Sequence, residues 1–138
     1  MNRYILDACA LIAYYANEKG ADVVQDLIVK AYNGEHQLLI SRINLLEVFY
    51  DIYKSKGRAD AVNFLQTVVD FPMKIINTIE DDVFINAGRL KSNYRISLAD
   101  AVFLSETMNE KDRIGVTADH HEFEAVKNSE NINLLWFR

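Results

Sequence analysis

Arg3-Tyr4-Ile5-Leu6-Asp7 is a β-branched and aromatic run that ends on a carboxylate and is followed by the small residues Ala8, Cys9 and Ala10. Read as a buried strand, it delivers Asp7 to its C-terminal tip. The rest of the chain can be laid around that strand. Ala10 to Ala16 reads as a short apolar helix, and Gly20 to Tyr32 as a second, closed by Asn33-Gly34 in the manner of a left-handed cap. Gln37-Leu38-Leu39-Ile40-Ser41 is a compact strand whose last residue can cap a helix over Arg42 to Lys56, which stops at Gly57.

In that helix Ile43, Leu46 and Tyr50 form the expected apolar stripe, with Glu47 standing inside it. A carboxylate on a core-facing stripe must be paired, hydrogen-bonded or metal-bound, because burying it alone is costly. The simpler alternative is a salt bridge to Arg42 or Lys54. Arg58 to Phe71 reads as a helix with Ala61, Val62, Leu65, Val68 and Val69 on its face, ended by Pro72. Lys74 to Asn77 is a third strand. Thr78 is placed to cap a helix from Ile79 to Tyr94, whose first-turn acids Glu80, Asp81 and Asp82 suit the helix dipole and are not assigned to a site.

Ser97-Leu98-Ala99-Asp100 opens a helix to Met108, and here two readings of Asp100 stay open. Ser-x-x-Asp is a capping-box pattern, and Asp100 is equally placed to be a ligand. Arg113 to Thr117 is a fourth strand, followed at once by Ala118-Asp119, a short helix, and a fifth strand over Asn133 to Phe137. Strands alternating with helices across one uninterrupted domain, residues 1–138, imply an α/β fold of three layers, with a mainly parallel sheet covered on both faces. In such sheets ligands gather outside the carboxyl ends of the strands. Asp7 and Asp119 lie just past strands, Glu47 and Asp100 lie early in helices, and all four point to that edge.

Composition narrows the class. Half of the 138 residues are hydrophobic, with 25% charged, five Gly and one Pro, the profile of a soluble globular protein. The single Cys9 can form no internal disulfide, and the longest uncharged run near the start is far shorter than the roughly 20 residues of a membrane span. Leu6-Asp7-Ala8-Cys9 has the outline of a lipoprotein cleavage site, but Asp7 interrupts the apolar stretch and too little chain precedes it. A cytoplasmic setting is therefore the expectation. The net charge of −5 argues against a protein held on nucleic acid by a broad basic face. It leaves room for a nuclease whose negative charge sits in a metal site and whose phosphate contacts come from a few bases, with Arg42, Lys54, Lys56, Arg58, Arg89, Lys91 and Arg95 as candidates.

Four carboxylates at one edge repel one another. At separations near 5 Å and an effective dielectric of about 20, each ionised pair costs on the order of 3 kcal/mol. Either some take up protons or a cation neutralises them. An all-oxygen set suits Mg2+ or Mn2+ better than zinc, and the adjacent His120 and His121, with no third ligand at a suitable spacing, make a poor zinc motif. A divalent ion so held supports phosphodiester hydrolysis. No Ser-His-Asp set, glycine-rich phosphate loop or dinucleotide fingerprint points elsewhere.

Tyr4-Ile5-Leu6-Asp7-Ala8-Cys9-Ala10-Leu11-Ile12-Ala13, Asn44-Leu45-Leu46-Glu47-Val48, Ile96-Ser97-Leu98-Ala99-Asp100-Ala101 and Val116-Thr117-Ala118-Asp119 with Phe123 resemble, in order and spacing, the four motifs of the PIN domain. The small single-domain form is similar to the VapC-type ribonuclease toxins of prokaryotic toxin-antitoxin pairs. The resemblance implies a five-stranded parallel sheet in the order 3-2-1-4-5 and Mg2+- or Mn2+-dependent endoribonuclease activity on RNA. It further implies a homodimer and a small antitoxin protein covering the active site. It makes Asp7, Glu47, Asp100 and Asp119 the catalytic, metal-binding acids, with Thr117 a supporting hydroxyl. Two departures stand out. Ala8 and Cys9 follow Asp7 where the family usually carries Ser or Thr, and His121 and Glu122 both intervene before Phe123, which offers Glu122 as a partner or substitute for Asp119.

Two other readings compete. A PIN-like module that has lost the hydroxyl after Asp7 would bind RNA or protein without cutting. A phosphoryl-accepting domain using Asp7 as nucleophile is disfavoured, because the Lys after a late strand and the paired early acids of a receiver are missing.

Overall fold

A computed structural model describes residues 1–138. Five strands, β1 (Arg3–Leu6), β2 (Gln37–Ser41), β3 (Met73–Ile76), β4 (Arg113–Thr117) and β5 (Leu134–Trp136), form one sheet in the order β3-β2-β1-β4-β5, and every pairing is parallel. Parallel neighbours need crossover helices, and these are α1 (Ala8–Ala16), α2 (Ala21–Tyr32), α3 (Arg42–Lys56), α4 (Arg58–Val68), α5 (Asp81–Asn93), α6 (Leu98–Met108) and α7 (His120–Ser129).

The layers follow from strand alternation. Ile5 and Leu39 point to one face and pack with Leu90 of α5, Phe103 of α6 and Phe123 of α7. Leu6, Leu38 and Val116 point to the other face and meet Ala13 of α1 and Val24 and Leu27 of α2, while Ile40 joins Leu11, Leu45, Phe64 and Val68. β1 lies at the centre with Leu6 opposite both Ile40 and Val116. Its neighbours change hand there, so the reversal point of the sheet is the end of β1. No helix is long and apolar enough to cross a membrane.

The helices depart from the sequence reading in instructive places. On α3 the buried residues are Asn44, Leu45 and Val48, whereas Leu46 and Tyr50, expected to be inside, are each 57% exposed. Asn44 can be buried because Ser41 Oγ donates to its Oδ1 at 2.7 Å and its Nδ2 donates to Glu47 Oε1 at 3.2 Å. On α4 the core residues are Ala61, Phe64 and Val68, and Val69 is left 74% exposed. Thr78 does not cap α5: its hydroxyl donates to Glu80 Oε1 at 3.0 Å, and Glu80 holds the N-cap position with no side-chain cap bond. Ser41 and Ser97 do cap α3 and α6, as their positions suggest.

Candidate active site

Asp7 leaves β1 beside β4, and its amide donates to the Val116 carbonyl at 3.2 Å. The same carboxylate caps α1: Oδ1 accepts the Ala10 amide at 2.9 Å, and the Cys9 thiol donates to Oδ1 at 3.1 Å and to Oδ2 at 3.3 Å. α1 therefore begins at Ala8, two residues before the expected start, because the strand-end acid doubles as its cap. With only 4% of its surface exposed, Asp7 is pushed up to about 6 by burial, against hydrogen bonds from Thr117, Ala10 and Cys9 that favour the carboxylate.

Thr117 ends β4, fully buried, and its hydroxyl accepts the Asp119 amide at 3.2 Å. This fixes the turn into α7, where Asp119 is the N-cap and accepts the Glu122 amide at 3.4 Å. Asp100 enters from the first turn of α6. The capping question resolves in favour of Ser97, whose Oγ accepts the Asp100 amide at 3.1 Å, while the Asp100 carboxylate faces the site. Burial raises Asp100 most, and the charges of Glu47 and Asp119 add to it. Glu47, half-buried beside Val48, is also raised by burial, eased by its bond from Asn44. Neither Arg42 nor Lys54 pairs with it.

These side chains line one cleft of about 330 Å3 at the carboxyl edge of the sheet, with Asp7, Glu47, Asp100, Asp119 and Glu122 all on its wall. The four predicted acids are thus brought together, and Glu122 joins them: one carboxylate oxygen each from Asp100, Asp119 and Glu122 lie within 4.8 Å of one another. Cys9, Tyr50 and Asp51 also line it, with Ala8, Ile12 and Ser97; the sequence offered Cys9 only as a departure after Asp7, Tyr50 only as an apolar stripe residue and Asp51 not at all, although Tyr50 and Asp51 follow Glu47 by three and four residues, the spacing of one helix face. No Lys, Arg or His lines the cleft, and none of the seven ion pairs of the chain involves one of its acids.

The candidate bases are mostly committed elsewhere or sit in solvent. Arg89 pairs with Glu130 at 2.7 Å, and Arg42 donates to Asn77 at 3.0 Å. His120 stacks on Trp136 with ring centroids 4.1 Å apart and bonds the Arg138 carbonyl at 2.8 Å, which leaves it out of the acid cluster.

A dense, uncompensated set of hard oxygen donors is what Mg2+ or Mn2+ requires and what a zinc site lacks. The residues present therefore fit such an ion.

A family model described as PIN domain matches residues 4–128, a span that runs from the second residue of β1 to the next-to-last residue of α7. The chain belongs to the PIN domain family. No curated protein sequence matches it. Among solved structures, this PIN domain is similar to a toxin-antitoxin complex from Klebsiella pneumoniae, with 18% identity, a TM-score of 0.69 and 98% of each chain covered. It is also similar to DNA-bound VapBC from Salmonella typhimurium, at 14% identity and TM-score 0.75 over 100% of both chains. VapBC2 from Rickettsia felis, bound to a DNA fragment from its promoter, matches at 20% identity and TM-score 0.71 over 96% of this chain and 97% of that one. At such identities the likeness speaks for the fold. It agrees with the PIN fold and its strand order, and the anticipated five-stranded sheet is the one observed.

Proposed function

We propose that this PIN domain is a metal-dependent endoribonuclease and the toxin of a toxin-antitoxin pair. The observation that carries the reading is the convergence of Asp7, Glu47, Asp100 and Asp119, from four separate elements, on a cleft with no cation of its own. These acids would hold Mg2+ or Mn2+, with Thr117 positioning Asp7 and Asp119 from behind. The bound ion would supply Lewis-acid polarisation of an RNA phosphodiester and a more acidic water. The protein's own part is to hold the carboxylates against their mutual repulsion. It does so through the α1 cap on Asp7, the Thr117 bond to the Asp119 amide and the Asn44 bond to Glu47.

The partner reading rests on a second feature. A cavity of about 210 Å3 between α1, α3 and α4 shares Ile12 and Asp51 with the acid cleft and is floored by Tyr15, Val48, Ile52 and Phe64. A trough lined by apolar and polar side chains in equal number, which shares residues with an acidic cleft, suits a peptide segment carrying both kinds of side chain, and this supports an antitoxin whose segment covers the site. Exposed Leu46, Tyr50, Tyr53 and Val69 supply apolar surface for that partner and for a homodimer.

The experiment is cleavage of a panel of structured RNAs by antitoxin-free protein with Mg2+, Mn2+ or EDTA, running Asp7→Asn beside the wild type. Metal-dependent cutting that the variant loses, with its circular dichroism unchanged, upholds the nuclease. Near-wild-type cutting by Asp7→Asn sinks the assignment. Tight metal binding without turnover on any RNA would favour the non-catalytic module.

A further inference from the structure

The single tryptophan of the chain stands in line with the candidate active site. Leu6 pairs with Val116, so Asp7 comes beside Thr117, and Thr117 pairs with Trp136 of β5. Residues in register point to the same face, and Asp7, Thr117 and Trp136 therefore form one row across three adjacent strands. At the usual strand spacing, Trp136 is about 10 Å from Asp7 along that row. The Trp136 ring is half-buried against the core cluster of Phe103 and Phe123. On it lies the imidazole of His120, the residue that follows Asp119, with ring centroids 4.1 Å apart and planes 20° from parallel. His120 Nε2 bonds the Arg138 carbonyl at 2.8 Å, so the imidazole is held at two points. His120 is nevertheless exposed, and no second ring of the chain stacks on it.

RNA meets little positive charge here. The chain carries a net charge of −5 and no Lys, Arg or His lines the acid cleft. A single strand must then be held by contacts that do not depend on charge. Stacking of bases on aromatic rings is such a contact, and it tolerates any sequence because every base has a π-face. A ring already fixed in place also loses little side-chain freedom when a base settles on it. Resting on the nuclease reading above, we propose that His120, backed by Trp136, is a stacking platform for a nucleobase of single-stranded RNA flanking the phosphate held at the acids.

The test reads binding, not turnover. A short fluorescein-labelled oligoadenylate and an abasic ribose-phosphate strand of the same length are titrated with the full chain in EDTA, where no metal-dependent cutting consumes them. Anisotropy is followed together with the emission of Trp136. The wild type should prefer the oligoadenylate, and only that strand should change the Trp136 emission. His120→Ala should weaken the oligoadenylate by about fivefold or more, the loss carried by one stacked base, and leave the abasic strand unchanged. His120→Phe keeps a ring without the bond to Arg138 and should retain the preference. His120→Gln keeps a donor without the ring and should lose it, and His121→Ala serves as the exposed neighbour that should change nothing. Melting curves confirm that each variant is folded. Wild-type binding by His120→Gln, or a loss in His120→Phe as large as in His120→Ala, would make His120 a clamp on the chain end and overturn the platform. So would equal affinity of the wild type for the two strands, or an equal loss in His121→Ala. The nuclease reading survives each of these if the metal-dependent cleavage described above is observed. A wild type that neither binds nor cuts RNA overturns both.

Discussion

The Cys9 thiol donates to the Asp7 carboxylate, with Sγ 3.1 Å from Oδ1 and 3.3 Å from Oδ2, so the position where related chains usually carry a hydroxyl is filled by a weaker donor of the same sense. Burial, the Asp7 charge and this hydrogen bond all push the thiol upward, in that order. The thiolate is the reactive form, so Cys9 should be alkylated by iodoacetamide at pH 8 at least about tenfold more slowly than a free cysteine. Asp7→Asn should speed the reaction while leaving the burial penalty in place. Labelling of the native wild type at the free-cysteine rate would contradict the contact.

Stability of the metal-free protein should fall as pH rises from about 4 to about 6. Asp7 is raised from 3.8 to about 6, so across that window the folded state binds more protons than the unfolded state and folding is favoured at the acidic end. Two units correspond to about 3 kcal/mol, lost in full above the folded value. Asp100 and Glu47 are shifted in the same direction and steepen the slope. Urea unfolding in EDTA at intervals across this range measures it. In Asp7→Asn the dependence should flatten markedly, and an unchanged slope would assign it to other groups.

Gly115 of β4 has no room for a methyl group. A Cβ there would stand 2.9 Å from Leu134 Cδ2, 2.9 Å from Phe103 Cζ and 3.0 Å from Thr107 Oγ1. Phe103 is the ring on which Phe123 stacks, so the strain runs on to α7. Gly115→Ala should cost about 1–3 kcal/mol in chemical denaturation, the usual range for overpacking. A variant as stable as the wild type would mean that β5 and α6 shift freely.

Glu106 and Arg113 form an ion pair of 3.4 Å with 5% and 11% of their side chains exposed, and Arg113 also donates to the Glu106 carbonyl at 2.7 Å. Removing one partner of a buried pair costs about 3–5 kcal/mol when the other is left alone, but Arg113 keeps the Glu106 carbonyl and a 3.6 Å contact with the more exposed Glu110, so the cost here should be smaller. Glu106→Ala should still lower the melting temperature more than Glu110→Ala, since Glu106 is the buried one of the two acids on Arg113. Equal effects would show that the Arg113 guanidinium reaches water.

The sheet and its strand-end acids were legible in the sequence because both depend on short-range signals. A β-branched run closed by an acid, as in Tyr4 to Asp7 and Ile114 to Asp119, states a strand and where it stops. The rotation of α3 was not legible. Its core face includes Asn44, a residue that apolar counting leaves out, and only the long-range setting of Ser41 and Glu47 around it makes that burial affordable. Choosing Leu46 and Tyr50 as the inner stripe followed from that omission, and it placed Glu47 deeper than its half-buried position beside Val48. Glu122 was offered by the extra residue before Phe123, and what stayed hidden was the stacking of Phe123 on Phe103 across the fold.

Arg3 to Leu6 pair with Arg113 to Val116, so the central strand waits for a neighbour made more than a hundred residues later during synthesis. Until β4 emerges, one edge of β1 is open and Asp7 faces no Asp119. A nascent chain on the ribosome thus carries no complete acid cleft, and a cell making this protein meets a finished site only after β4 and Asp119 have been made.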